Sequence, residues 1–231
     1  MSRNHSFAIP FAVCCAGVAL FAVMDAAMKG LSLGIGLYNA LFWRAVAGTL
    51  LGLALMLLTR QRWPSRAVLR IHLLRGTVVA VMAGLFFWAI MRMPLAEAIA
   101  LSFIAPLIAL YLAALLLKER IGRRAIGASL LGLVGVAVIL SGRLQGRYDA
   151  DALLGAGAVL ASAVLFAWNL IIQRQQAQVA SPIEVAFFQH LVMLGVFALG
   201  APFLLALPPR PAVPLILLAA ALAFTSLAAL S

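Results

Sequence analysis

Apolar residues in this chain fall in long unbroken blocks, separated by short polar or proline- and glycine-bearing joints such as Trp63-Pro64-Ser65, Ser141-Gly142-Arg143 and Pro208-Pro209-Arg210. Eight blocks are read as spans: Phe7–Met28, Leu37–Leu58, Leu74–Met91, Leu95–Leu117, Ala125–Leu140, Ala152–Ile172, Val185–Leu207 and Val213–Leu230. At a rise of about 1.5 Å per residue, most are long enough for a hydrocarbon core of roughly 30 Å. A membrane β-barrel would show short alternating segments instead. The pattern therefore predicts an all-α integral membrane protein. Its organising stretch runs from Pro94 to Leu140, where two apolar runs flank the charged knot Lys118-Glu119-Arg120. Pro106 falls inside the first of these runs. Its ring removes the hydrogen bond back to the Ser102 carbonyl, so this depth is expected to face protein or water.

Composition sharpens the class. The 231 residues are 66% hydrophobic and 10% charged, with a mean hydropathy of +1.14. A net charge of +11 raises the question of nucleic acid, but the basic residues sit in short joints rather than on one folded face. The positive-inside bias explains them better. With the N-terminus in the cytoplasm, eleven Lys and Arg residues, Arg75 among them, fall in inner joints and five in outer ones. The first apolar run is read as a retained span rather than a cleaved leader, because it outlasts a signal's usual length. Cys14 and Cys15 are too few and too close for a disulfide framework or metal site.

An internal repeat is visible. Leu20-Phe21-Ala22 with Lys29 matches Leu165-Phe166-Ala167 with Arg174 at an offset of 145, and Phe42-Trp43-Arg44 matches Phe188-Gln189-His190 at 146. Five spans separate the copies, and an odd number inverts the second. The expected architecture is an inverted repeat of five-helix units, residues 1–142 and then an incomplete second copy, 143–231, of three helices. On that reading a ten-span pattern is truncated to eight.

Few residues are candidates for chemistry. Arg44 lies within the second span, where an arginine costs about 2.5–3.5 kcal/mol at the bilayer centre, so it is expected to face the bundle with Asp25 as its partner. The pair reads equally as an anion- or proton-binding element or as a buried structural ion pair. His190 matches Arg44 through the repeat, and Asn169 lies near the match of Asp25. They read as substrate or proton ligands, or as hydrogen-bonded packing residues. Trp88 and Trp168 line a path or anchor depth at the interface. Glu97 reads as a first-turn acid stabilised by its helix N-terminus. Small residues at Ser102, Ala105 and Ala109, and at Ala128, Gly132 and Gly135, serve close helix packing. No zinc-protease, nucleophile-elbow or phosphate-loop motif is present. Neither an enzyme nor a cofactor or metal is expected.

These residues, and above all AIALSFIAPLIALYLAALLLKERIGRRAIGASLLGLVGVAVIL, resemble the EamA-type members of the drug/metabolite transporter superfamily. FAVMDAAMKGLS and FWRAVAG add to the likeness, and Pro106, Glu119, Gly127, Gly132 and Gly135 match the family's Pro…Glu…Gly…Gly pattern. The resemblance implies a secondary exporter or exchanger of a small metabolite, working by alternating access in the bacterial inner membrane. The path would run between two halves, near the fourth span. Asp25, Arg44, Trp88, Ser102, Pro106, Trp168, Asn169 and His190 are the expected path residues. The implied partners are a small-molecule metabolite, membrane lipid and a proton or exchange substrate. A homodimer stays open, and nucleic acid is not expected. The alternative is a truncated membrane protein that does not transport, or an interaction partner.

Overall fold

The computed structural model describes residues 5–117 and 150–230 and, between them, residues 122, 126–128, 130–132, 134, 135 and 138. The fifth expected span and Glu119 therefore lie largely outside the described residues. Among the described residues every regular element is helical: α1 (His5–Ile35), α2 (Leu37–Leu58), α3 (Arg66–Ile90), α4 (Leu95–Ser102), α5 (Ile104–Leu117), α6 (Ala150–Gln176), α7 (Pro182–Ala198), the short α8 (Ala201–Leu204) and α9 (Val213–Leu230). Among the described residues, six stretches are long and apolar enough to cross a membrane, and α7 is a shorter apolar helix. The chain is a multi-pass membrane protein.

Local chemistry explains the boundaries. Gly36 turns α1 into α2 with a φ of 81°, a conformation open to glycine without steric cost. Helix α2 closes with a left-handed Arg60 at φ 50°. The Gln61 amide bonds the Met56 carbonyl and the Arg60 amide bonds that of Leu57, the paired arrangement of a Schellman cap. Helix α7 opens with Ser181 as N-cap, its hydroxyl accepting from the Glu184 amide, and with a proline in the first turn. This is the Ser-x-x-Glu pattern of a capping box. It starts the helix at Pro182, three residues before the expected Val185.

Two boundaries differ from expectation in ways that matter. Helix α3 begins at Arg66, not Leu74, so Arg66, Arg70 and Arg75 are helical residues rather than parts of a joint. Arg75 is only 2% exposed and is held by Gln176; a cation with a buried partner does not report on the charge of a cytoplasmic loop. Leu95–Leu112 stands as one apolar stretch long enough to cross a membrane, within the expected span Leu95–Leu117, but its helix is interrupted at Phe103. Pro106 supplies the reason: without its N–H the helix cannot hold the Ser102 carbonyl, and the Ser102 hydroxyl turns back to the Ile99 carbonyl at 2.7 Å. Pro106 itself is exposed.

The described residues form two compact units, one from 1–77 with 174–231 and one from 78–173. In the first, α2 packs along α7 and α1 along α9, with α9 also touching α2 and α7. Its core includes Val185, Ala186, Phe224 and Leu227, and beside them Met56, Phe187 and Phe188. Glycines set the close approaches. A Cβ at Gly48 would lie 2.1 Å from the His190 ring, one at Gly52 2.9 Å from the Phe187 Cα, and one at Gly76 2.5 Å from the Val192 Cβ. In the second unit, α3 and α6 are joined by the Ser162 hydroxyl, which donates to the Met82 carbonyl at 3.0 Å. Gly155 there lies close to the Ala89 carbonyl and Met93.

Candidate functional site

The first unit brings together three of the residues expected on a path. Arg44, 5% exposed, projects from α2 among apolar neighbours, with Nη1 3.5 Å from the Met24 sulfur of α1. The half-buried Asp25, the next residue on α1, acts on Arg44 through its charge. His190 of α7, 3% exposed, feels the charge of Arg44 in turn. Its Nδ1 donates to the Ala186 carbonyl at 2.8 Å, and its ring stacks on Phe224 of α9 at 6.0 Å. With Nδ1–H committed to the backbone, a neutral ring keeps Nε2 as an acceptor. Two more polar atoms in this unit, the Ser32 hydroxyl and Gln189 Oε1, are buried with no hydrogen-bond partner among the described residues. One acid, one guanidinium and one imidazole thus converge from three helices in an apolar surround. Charges act strongly there because solvent does not screen them.

The other expected residues lie in the second unit. The half-buried Trp88 carries the Arg92 guanidinium over its ring at 3.6 Å, and Arg92 also donates to the Trp88 carbonyl at 3.1 Å. That arrangement suits an interfacial anchor. Asn169 is buried and Trp168 is 41% exposed. Glu97 is buried in the first turn of α4. Gly127, Gly132 and Gly135 are helical and exposed.

A second polar cluster escaped the sequence reading. Arg75 donates from Nη1 to Gln176 Oε1, Gln176 Nε2 donates to His72 Nδ1 at 2.6 Å, and His72 Nε2 donates to Glu184 Oε1 at 2.9 Å. All four side chains are buried. The directions are fixed because a guanidinium can only donate. The His72 ring stacks on Phe188 at 4.6 Å, and Trp63 meets Phe187 and Phe188 edge-on. Two signals could have found this cluster: the capping box at Ser181–Glu184, and the spacing of His72 and Arg75 one turn apart on a helix. Among the described residues, no group of three or more His, Cys, Asp or Glu could hold a metal ion.

Among the described residues the chain is an all-helical multi-pass bundle with buried charged groups between its helices. The chain belongs to the EamA-like transporter family, whose model matches residues 8–141. It is similar to the pseudopaline exporter CntI of Pseudomonas aeruginosa, in strain UCBPP-PA14 and in strain ATCC 15692, at 31% identity over 170 residues, 73% of this chain. The chain spans 57% of the length of those relatives. A protein of known crystal structure shares the fold, with a TM-score of 0.65 and 20% identity over 93% of this chain and 79% of that one.

Proposed function

We propose that the protein is a secondary active transporter that exports or exchanges a small metabolite across the bacterial inner membrane by alternating access, with its N-terminus in the cytoplasm. Its two parts, 1–142 and 143–231, belong to inverted copies of one helical unit. The carrying observation is the convergence of Asp25, Arg44 and His190 on the α2–α7 packing. Arg44 and His190 are the residues that the 146-residue offset makes equivalent. A site built from equivalent positions of two inverted copies sits on the axis that relates them, where alternating access needs its cargo.

The contact pattern supports the same repeat. Inversion pairs α1 with α6, α2 with α7 and α3 with α9. The α1–α9 packing of one unit then corresponds to the α6–α3 packing of the other. Gly17 of α1 meets Leu230 of α9, and Ser162 of α6 meets Met82 of α3. Gly17 and Ser162 are 145 residues apart, and Met82 and Leu230 are 148 apart, within a turn of the same offset.

The name of the relatives makes pseudopaline the first cargo to test. In proteoliposomes containing the native chain, counterflow of pseudopaline is expected. Arg44→Ala should insert normally and lose that flux by about tenfold or more, the scale of a buried charge–ligand contact. Equal flux in the two proteins would remove Arg44 from the mechanism.

A further inference from the structure

The antiparallel α2–α7 pair is tied at both ends, and the two ties differ in kind. At the α2 N-terminal end, the Tyr38 hydroxyl donates to the Phe197 carbonyl, the Trp43 indole to the Ala206 carbonyl at 2.9 Å, and the Ala206 amide to Asn39 Oδ1 at 2.9 Å. None of these bonds involves an ionised group or an imidazole. At the other end, the Ser181 hydroxyl donates to Gln61 Oε1 at 3.0 Å, and the chain Arg75→Gln176→His72→Glu184 binds the α6–α7 connection to α3. Of these two ties, only this one contains an imidazole and a carboxylate.

We propose that the His72–Glu184 pair is a proton-binding site that operates this tie as a latch: closed as seen, released when one more proton enters. The argument is one of donors and acceptors. As arranged, the four side chains carry one positive and one negative charge, and each of the three bonds has one donor and one acceptor. A proton added to His72 must go to Nδ1, where it meets the amide N–H of Gln176. Flipping that amide presents its oxygen to His72 but turns its N–H toward Arg75, which cannot accept. A proton added to Glu184 removes the carboxylate charge. Either way the four side chains gain one positive charge in a buried place, which is costly unless it opens to solvent. The groups facing His72 are Arg75 from its own helix, Gln176 from the end of α6, and Glu184 and the Phe188 ring from α7; the charges acting on it are those of Glu184 and Arg75. An acid-released latch at one end of the pair, opposite a tie that does not titrate, would couple proton entry to opening on one side of the membrane. That consequence rests on the transport reading above, whereas the proton response of the loop does not.

The test needs no substrate. Spin labels on Arg62→Cys and Val179→Cys, both exposed positions flanking the tie, are introduced into the full chain with Cys14→Ser and Cys15→Ser. Inter-label distances are measured in lipid nanodiscs from about pH 8 to about pH 5, across the range where imidazole titrates. A single short distance is expected at the alkaline end. A longer one should grow on acidification, the ratio of the two rising by up to about tenfold per pH unit, the limit for one proton taken up. His72→Gln keeps a donor and an acceptor without titrating and should flatten the response. Gln176→Glu gives both Arg75 and a protonated Nδ1 an acceptor, so it should keep the latch shut at acid pH. A distance distribution that ignores pH in the native sequence would overturn the proposal, as would an equal acid response in both variants. Absence of pseudopaline flux with the pH response intact would remove that cargo and leave the latch standing.

Discussion

The clearest energetic consequence of the α2–α7 packing falls on Gly48. Alanine there adds one methyl group whose carbon would sit 2.1 Å from His190 Cδ2 and 2.6 Å from both Cγ and Nε2. The first distance is about 1.3 Å inside the 3.4 Å at which ordinary contact begins. The ring cannot simply step aside, because its Nδ1 is bonded to the Ala186 carbonyl and its face lies against Phe224. Either that bond is lost or the two helices separate along their length. Overpacking of this severity costs about 3 kcal/mol, the upper end of the usual range. The better helix propensity of alanine returns roughly 1 kcal/mol. A net destabilisation of about 2 kcal/mol is expected. Reversible unfolding of the detergent-solubilised protein by added dodecyl sulfate, followed by far-ultraviolet circular dichroism, measures it. Gly84→Ala is the matched control, since a Cβ there meets nothing within 4 Å, and it should be neutral or mildly stabilising. In the double mutant Gly48→Ala/His190→Ala the clash has no second party, so a coupling of at least about 1 kcal/mol is expected. If Gly48→Ala were as stable as the Gly84→Ala control, the close approach of α2 to α7 at this point would be refuted.

Two further outcomes test the second unit. Ser162→Ala removes the hydroxyl that donates to the Met82 carbonyl and should cost about 1 kcal/mol in the same unfolding assay; no loss would mean that the bond does not join α3 to α6. Pro106→Ala restores an N–H to the Ser102 carbonyl, so α4 and α5 should fuse into one helix. Amide hydrogen exchange at Phe103 through Leu107 should slow by about tenfold or more, the protection of one added backbone bond, and unchanged exchange would assign the break at Phe103 to something other than the proline.

Much of the fold was legible because a membrane limits what a sequence can do. Long apolar blocks have to be helices, since lipid offers the backbone no other hydrogen-bond partner. The last helix, Val213–Leu230, matches the reading residue for residue. The break at Phe103 was not expected, although its cause, Pro106, was recognised. The start of α3 was misread for a physical reason. Charged residues at the head of an apolar block look like a joint when hydropathy alone is read, yet a cation with buried partners can stay helical and hidden. Arg75, His72, Gln176 and Glu184 find each other across three helices, and no local pattern encodes that meeting. The burial of Arg44 was legible for the opposite reason: it stands deep inside its span, where a guanidinium facing lipid is costly.

On the proposed repeat, equivalent positions carry different chemistry. Gly17 and Ser162 occupy equivalent places, yet one meets its neighbour helix through bare backbone and the other through a hydroxyl. Arg44 and His190 are likewise equivalent, and one is a permanent cation while the other has a neutral form near physiological pH. Alternating access requires two states of similar free energy, and an inverted repeat supplies them because each half can adopt the other's conformation. Perfect symmetry, however, would give no preference for either side and no response to any signal. The differences between the copies are therefore where direction and control must reside. In the proposed carrier they would gather on α2, α7 and the head of α3, whose buried polar groups would bias two such states by a few kcal/mol.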